Sequence, residues 1–229
     1  DVETELVTLS DYRIGTCRGC RLCFDKGEEA CPLQDDRDVL IDKIAASDGV
    51  VFASPNYSFQ VSGMLKVFLD RLGFAFHRPR FFGKTFTSIV TQGFFGGPKI
   101  VKYLDFAASC LGFNTVPGKC FTALDPPTAK EKDKRDRALA AQSRRFHKRM
   151  NNTPFRSPSI LMLYGFRVGR TNVRLELTEA DCDYRYYRDK GWFGSDYFYP
   201  ARLNPLMKAA GMFFDAAQAR KTRKRNKSA

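Results

Sequence analysis

No apolar run among the 229 residues approaches the ~18 that a membrane-spanning helix needs, which excludes one from this sequence. Acidic residues are in deficit: 25 Asp and Glu stand against 38 Lys and Arg, a formal charge of +13. The excess gathers at 130–150 and 220–227. No nucleic-acid recognition motif accompanies it, so nucleic acid is not the expected partner. No internal repeat is present, which excludes a solenoid. The sequence also lacks the spread of cysteines that marks a secreted disulfide framework. Its seven cysteines are an odd number, and four of them crowd into residues 17–31. This pattern favours metal ligation in a reducing compartment, and a cytoplasmic location is expected. What the chain does have is material for a core. Hydrophobic residues make up 43% and aromatic residues 14%, which excludes global disorder.

The hydrophobic pattern alternates between two periods. Residues 3–9 read as a short strand, and a polar, cysteine-rich loop follows to about 36. A helix is predicted over 36–46, its N-terminus supplied with Asp35, Asp36 and Asp38, whose charge suits the helix dipole. Val50-Val51-Phe52-Ala53 and Phe86 to Val90 are continuous apolar runs between turn signals, the pattern of strands buried on both faces of a parallel sheet. Ser62 is placed to cap a helix through Leu72, with Met64, Leu65, Phe68, Leu69 and Leu72 on one face. Lys99 to Leu111 is amphipathic, and Phe113 to Phe121 reads as a final strand interrupted by Pro117-Gly118. Such alternation predicts an α/β, doubly wound parallel sheet, in which ligands sit beyond the carboxyl ends of the strands. Those ends carry the loops Ser54–Ser58 and Thr91–Gly97.

The division expected is a sheet domain over 1–125 and a helical, aromatic extension over 126–229. The extension reads as helices at 128–150, 159–168 and 206–217, with an aromatic block at 184–199 and a basic tail frayed from about 220. Leu203, Leu206, Met207, Ala210, Met212, Phe213 and Phe214 gather toward one side of the last helix. Packing of this face is expected, with Phe213 and Phe214 not both exposed. The competing reading is peripheral membrane contact through the helix and its basic tail.

Cys17-x2-Cys20-x2-Cys23-x7-Cys31-Pro32 is the strongest chemical signal. Three thiolates at two-residue gaps can turn toward one centre, and a fourth from the loop's end closes a cage for a single [4Fe–4S] cluster. Structural zinc is a rival, although zinc more often takes two separated CxxC knuckles. Unmetallated cysteines are the third reading.

The cysteine run followed by Asp35-Asp36, then Ser-Pro-x-Tyr at 54–57, then Val61-Ser62-Gly63-x-Leu65-Lys66-x-Phe68-Leu69-Asp70-Arg71, resembles the flavodoxin-like NAD(P)H-dependent oxidoreductases, in their iron–sulfur flavoprotein branch. His77-Arg78-Pro79, Gly83-Lys84 and the 91–97 loop continue the likeness, which covers about residues 4–124. The resemblance implies a flavodoxin-like fold, FMN as cofactor, NAD(P)H as electron donor, and a redox partner or small-molecule acceptor. It also implies a homodimer. Ser54, Pro55, Asn56 and Tyr57 match the loop that lies against the flavin ring, and Thr91, Gln92 and Gly93 match a second ring-binding loop. His77 is expected to be structural. The family's phosphate loop has no counterpart upstream of residue 10, so no phosphate ligand is assigned and the chain is expected to be N-terminally incomplete. An FMN reductase without metal, and a zinc- or cluster-stabilised basic binding module without activity, stay open beside the main reading.

Overall fold

The computed structural model describes residues 2–123, 125–152 and 155–228. In chain order the elements are α1 (Leu22–Asp25), α2 (Arg37–Ala46), β1 (Gly49–Pro55), α3 (Gly63–Arg71), α4 (Gly73–His77), β2 (Thr85–Gln92), α5 (Gly97–Cys110), β3 (Asn114–Thr115), β4 (Lys119–Thr122), α6 (Ala129–Met150), α7 (Ile160–Glu176), α8 (Cys182–Asp189) and α9 (Pro205–Ser228). They fall into two compact units, which do not follow a division near residue 125. The first holds 1–18, 33–73 and 79–154; the second holds 19–32, 74–78 and 155–229. No helix among the described residues is long and apolar enough to cross a membrane.

The first unit is a parallel sheet with helices on both faces. β2 is its spine, pairing with β1 along one side and with β3 and β4 along the other. Neighbouring residues of a strand point to opposite faces, and two hydroxyls of β2 show where the helices lie. Thr87 accepts a 2.6 Å hydrogen bond from Gln142 of α6, while Ser88 donates at 2.9 Å to Asp105 of α5. On the α5 face, Phe52 of β1 sits 5.1 Å from Phe86 and 6.3 Å from Phe68 of α3. α3 begins where the sequence predicts, with the Ser62 hydroxyl accepting from the Leu65 N–H.

The interrupted last strand is confirmed as β3 and β4, both parallel to β2. The interruption is bound tightly. Asp105 accepts from the Gly118 N–H at 3.0 Å as well as from Ser88. Burial pushes the Asp105 carboxyl up, partly offset by these two donors. Gly118 has no room for a side chain, because a Cβ there would stand 2.0 Å from Ser88 Oγ and 2.5 Å from Ser88 O. Gly118→Ala should therefore cost about 2–3 kcal/mol through overpacking against a buried strand. The urea midpoint measures it. Gly63→Ala, where an added methyl meets nothing within 4 Å, serves as the neutral control.

Several expectations are corrected. Residues 3–8 form no strand; a 3-10 turn at Leu9–Asp11 follows irregular chain. A strand needs a neighbour to satisfy its backbone, and among the described residues none lies beside this segment. β2 is buried on both faces, but β1 is not: Val51 is 47% exposed. In the second unit α7 runs on to Glu176, well past 168, and α9 stays helical to Ser228 where a frayed tail was expected. The two helices share a polar seam. Asp215 of α9 accepts from Arg167, Arg170 and Thr171 of α7, and Asn172 accepts from Gln218 and Thr222. With the polar side of α9 turned to α7, Leu206, Met212 and Phe213 face outward. Phe214 is half-buried with its ring 5.2 Å from Tyr164, so Phe213 and Phe214 are not both exposed.

Candidate functional site

β1 and β2 run in parallel register to their carboxyl ends, where Pro55 lies opposite Thr91. The chain leaving each strand therefore starts from the same edge of the sheet. The Asn56 N–H donates to Thr91 O at 2.7 Å, and the Asn56 side-chain amide donates to Phe95 O at 2.8 Å. The Asn56 Oδ1 atom is buried and lacks a hydrogen-bond partner. Phe59 and Phe95 rings meet at 5.1 Å across the two loops.

The first loop is a strained two-residue hairpin. Tyr57 and Gln60 exchange both backbone hydrogen bonds, at 3.0 and 2.9 Å. Ser58 and Phe59 between them have φ of 50° and 64°, a region costly for residues other than Gly. Behind it, Ser54 is buried; its hydroxyl accepts from the Ser62 N–H and donates to Pro55 O. Its side chain thus supports the loop from the inside. The second loop is pinned at its base by Gln92, whose Oε1 accepts from the Gly97 N–H at the start of α5 and whose Nε2 donates to Thr122. Gly93 has no neighbour within 4 Å of its side-chain position and leaves the backbone open to an approaching ring.

All seven residues expected from the sequence at this edge come together. Sequence reasoning missed Phe59 and Phe95 as members, although both are apolar residues in loops just past a strand. Tyr57, Phe59 and Phe95 are 64%, 61% and 58% exposed, and Phe94 more so. Several large exposed rings on two adjoining loops form an apolar patch suited to a flat ligand.

The cysteines are placed differently. Cys17 belongs to the first unit and Cys20, Cys23 and Cys31 to the second. None of the four is in a disulfide; Cys17 and Cys20 are exposed, Cys23 and Cys31 half-buried. Among the described residues no group of three or more His, Cys, Asp or Glu side chains is gathered to hold a metal ion. The convergence expected from the spacing is thus not displayed. Thiols are weak hydrogen-bond partners and gain little by meeting. The donor set itself suits an iron–sulfur cluster, since four soft thiol ligands share one loop. Gly19, Arg21 and Gly27 all take positive φ, which turns the chain sharply around Cys20 and before Cys31.

The base of the loop is closed within the first unit. Arg13 and Asp36 exchange two hydrogen bonds. The Gly15 N–H donates to Asp35 at 2.8 Å while Gly15 O accepts from Arg71 at 2.9 Å. Arg71 also donates to Asp35, and both side chains are nearly covered. Burial pushes the Asp35 carboxyl up, but the Arg71 guanidinium and the N–H groups of Gly15 and Arg37 outweigh it and hold the carboxyl below its ordinary value.

The family described as NADPH-dependent FMN reductase matches residues 1–124. An iron-sulfur flavoprotein of Archaeoglobus fulgidus is 35% identical over 127 residues, covering 51% of this chain and 57% of that one. An iron-sulfur flavoprotein of Clostridioides difficile is 40% identical over 72 residues, 31% of each chain. The chain spans no more than 57% of the length of either relative. Among solved structures, the Trp repressor binding protein from Bacillus subtilis is 27% identical, with a TM-score of 0.39, over 49% of this chain and 73% of that one.

Proposed function

This chain belongs to the NADPH-dependent FMN reductase family, and from that premise we propose that it binds FMN at the paired loops and passes electrons from NAD(P)H through an iron–sulfur cluster to an acceptor. The observation that carries the proposal is the shared edge of loops 54–58 and 91–97, held in register by Pro55 and Thr91 and rimmed by exposed rings. Pro55, Asn56 and Tyr57 would lie against one side of the flavin, with Thr91, Gln92 and Gly93 offering backbone groups to its polar edge. The partnerless Oδ1 of Asn56 is an acceptor at the same place. FMN held there would supply exchange between two-electron and one-electron chemistry, and a cluster would supply a one-electron store. The cluster would be held by Cys17, Cys20, Cys23 and Cys31. No side chain need act as a nucleophile. The exposed rings exclude water from the face they cover, and Ser54 and Gln92 keep the two loops in place.

A visible spectrum of protein purified anaerobically tests this reading. Two flavin bands with a broad brown shoulder support it. Flavin alone favours an iron-free reductase, and neither signal favours a zinc-held binding module. FMN titration followed by fluorescence quenching tests the site itself. Tyr57→Ala should weaken FMN binding by about tenfold, the ~1.4 kcal/mol of a stacked ring. It should leave the urea midpoint almost unchanged, because Tyr57 is 64% exposed and adds little to the core. Equal affinity in the variant would put the flavin elsewhere.

A further inference from the structure

The C-terminal segment past residue 155 lies beyond the matched region, yet one of its carboxylates reaches the cysteine loop through a buried arginine. Arg78, at the end of α4, has no exposed surface. Its guanidinium donates to Asp183 of α8, to Cys23 O at 2.6 Å and to Glu28 Oε2 at 3.0 Å. All of these residues belong to the second unit. The Cys23 carbonyl sits in α1, a helix of only four residues. The preceding carbonyl, Leu22 O, accepts from the Lys26 N–H, and the Cys23 carbonyl accepts from Arg78. Burying a guanidinium is costly unless its charge and donors are met. Asp183, 4% exposed, meets the charge, and its second oxygen takes the His77 ring at 2.8 Å. Tyr187, one turn further along α8, donates to His77 O at 3.0 Å. Phe24, next to Cys23, packs its ring 4.5 Å from His77.

α8 is itself fixed. Tyr187 meets Trp192 edge-on at 4.8 Å, and the Trp192 indole N–H donates to Phe198 O at 2.9 Å. Phe166 of α7 packs on Phe198 at 4.6 Å. The aromatic block thus ties α8 to α7 and makes a firm base for Asp183.

We propose that the C-terminal extension serves to position the cysteine loop, with Asp183 acting through Arg78 to fix the backbone at Cys23. Arg78 and Asp183 are positioning residues here. Arg78 orients the Cys23 carbonyl and thereby the thiol beside it, and Asp183 holds Arg78. This builds on the reading of the cysteines as cluster ligands, but its main test needs no cluster.

In metal-free protein, site-resolved alkylation by iodoacetamide reports how firmly the loop is held. Cys110, in α5 of the first unit and raised in pKa by burial, is the internal reference. Arg78→Gln should speed alkylation of Cys23 at least tenfold relative to Cys110. Arg78→Lys should restore only part of the protection, since an ammonium cannot reproduce the fork of donors. Asp183→Asn keeps the shape and removes the charge; it should speed Cys23 alkylation by a few fold. It also decides the matter if Arg78→Gln does not fold. Wild-type alkylation rates in Asp183→Asn and in any folded Arg78→Gln would overturn the proposal. Iron loading separates the two readings. If wild-type protein takes up about four irons and Arg78→Gln does not, both stand. If wild-type protein takes up none, the cluster reading fails while alkylation still judges the brace.

Discussion

Cys20→Ser should abolish the brown cluster absorbance of iron-loaded protein and leave the flavin bands in place. Cys20 is exposed and stands between Gly19 and Arg21, both at positive φ. The chain there is shaped by its turns and not by the thiol. A surface exchange of sulfur for oxygen alters stability by about 0.5 kcal/mol or less. As an iron ligand the exchange is drastic, because the cluster irons favour soft thiolate and a serine hydroxyl stays protonated at neutral pH. Flavin and cluster signals are expected to separate because the paired loops belong to the first unit and Cys20 to the second. The check is the visible spectrum together with iron counts after anaerobic reconstitution. Loss of both signals at once would show that the cysteine loop is needed for the flavin site, and unchanged iron content would remove Cys20 from the ligands.

Arg71→Met should bring the largest loss of stability, about 3 kcal/mol by urea unfolding at neutral pH. Arg71 and Asp35 side chains are 2% and 9% exposed, so removing the guanidinium leaves a covered carboxylate with only main-chain donors. The same change frees Gly15 O, which Arg71 also binds. The pH dependence has a definite sign. The Asp35 carboxyl lies below its ordinary value in the folded chain, so its contribution is present above the unfolded value, near 4. It is lost as pH falls through the folded value. Wild-type protein should therefore lose stability on acidification below about pH 4 through this pair. In Arg71→Met the main counterweight to burial is gone, and the acid slope assigned to Asp35 should flatten or reverse. Parallel slopes in the two proteins would show that Asp35 owes its low value to other donors.

The parts of the fold that the sequence made legible are those where one face is apolar and the partner lies nearby in the chain. β2 lies between Gly83 and the glycine-rich loop, and its buried run reads directly as a strand. The break at Pro117-Gly118 is legible because proline has no N–H to give a strand ladder. The end of α7 was not legible. Arg167, Arg170, Thr171 and Asn172 look like a solvated stretch, yet they are the seam against Asp215, Gln218 and Thr222, some 45 residues later. Hydrophobic periodicity is silent about a polar interface. Residues 3–9 mislead for the opposite reason: they suit a strand, but a strand is made by its neighbour. At the site, Ser54 to Tyr57 and Thr91 to Gly93 could be found because strand ends locate them. The pairing of Arg78 with Asp183 could not, since 105 positions separate them.

The hairpin from Tyr57 to Gln60 places two demands on the sequence that pull apart. Ser58 and Phe59 both hold left-handed backbone, a conformation that Asn-Gly adopts at little cost and that other residues adopt at about 1 kcal/mol or more each. The turn thus trades backbone ease for a displayed ring: Phe59→Gly would relieve the left-handed strain at that position and take the ring away from the patch in the same step.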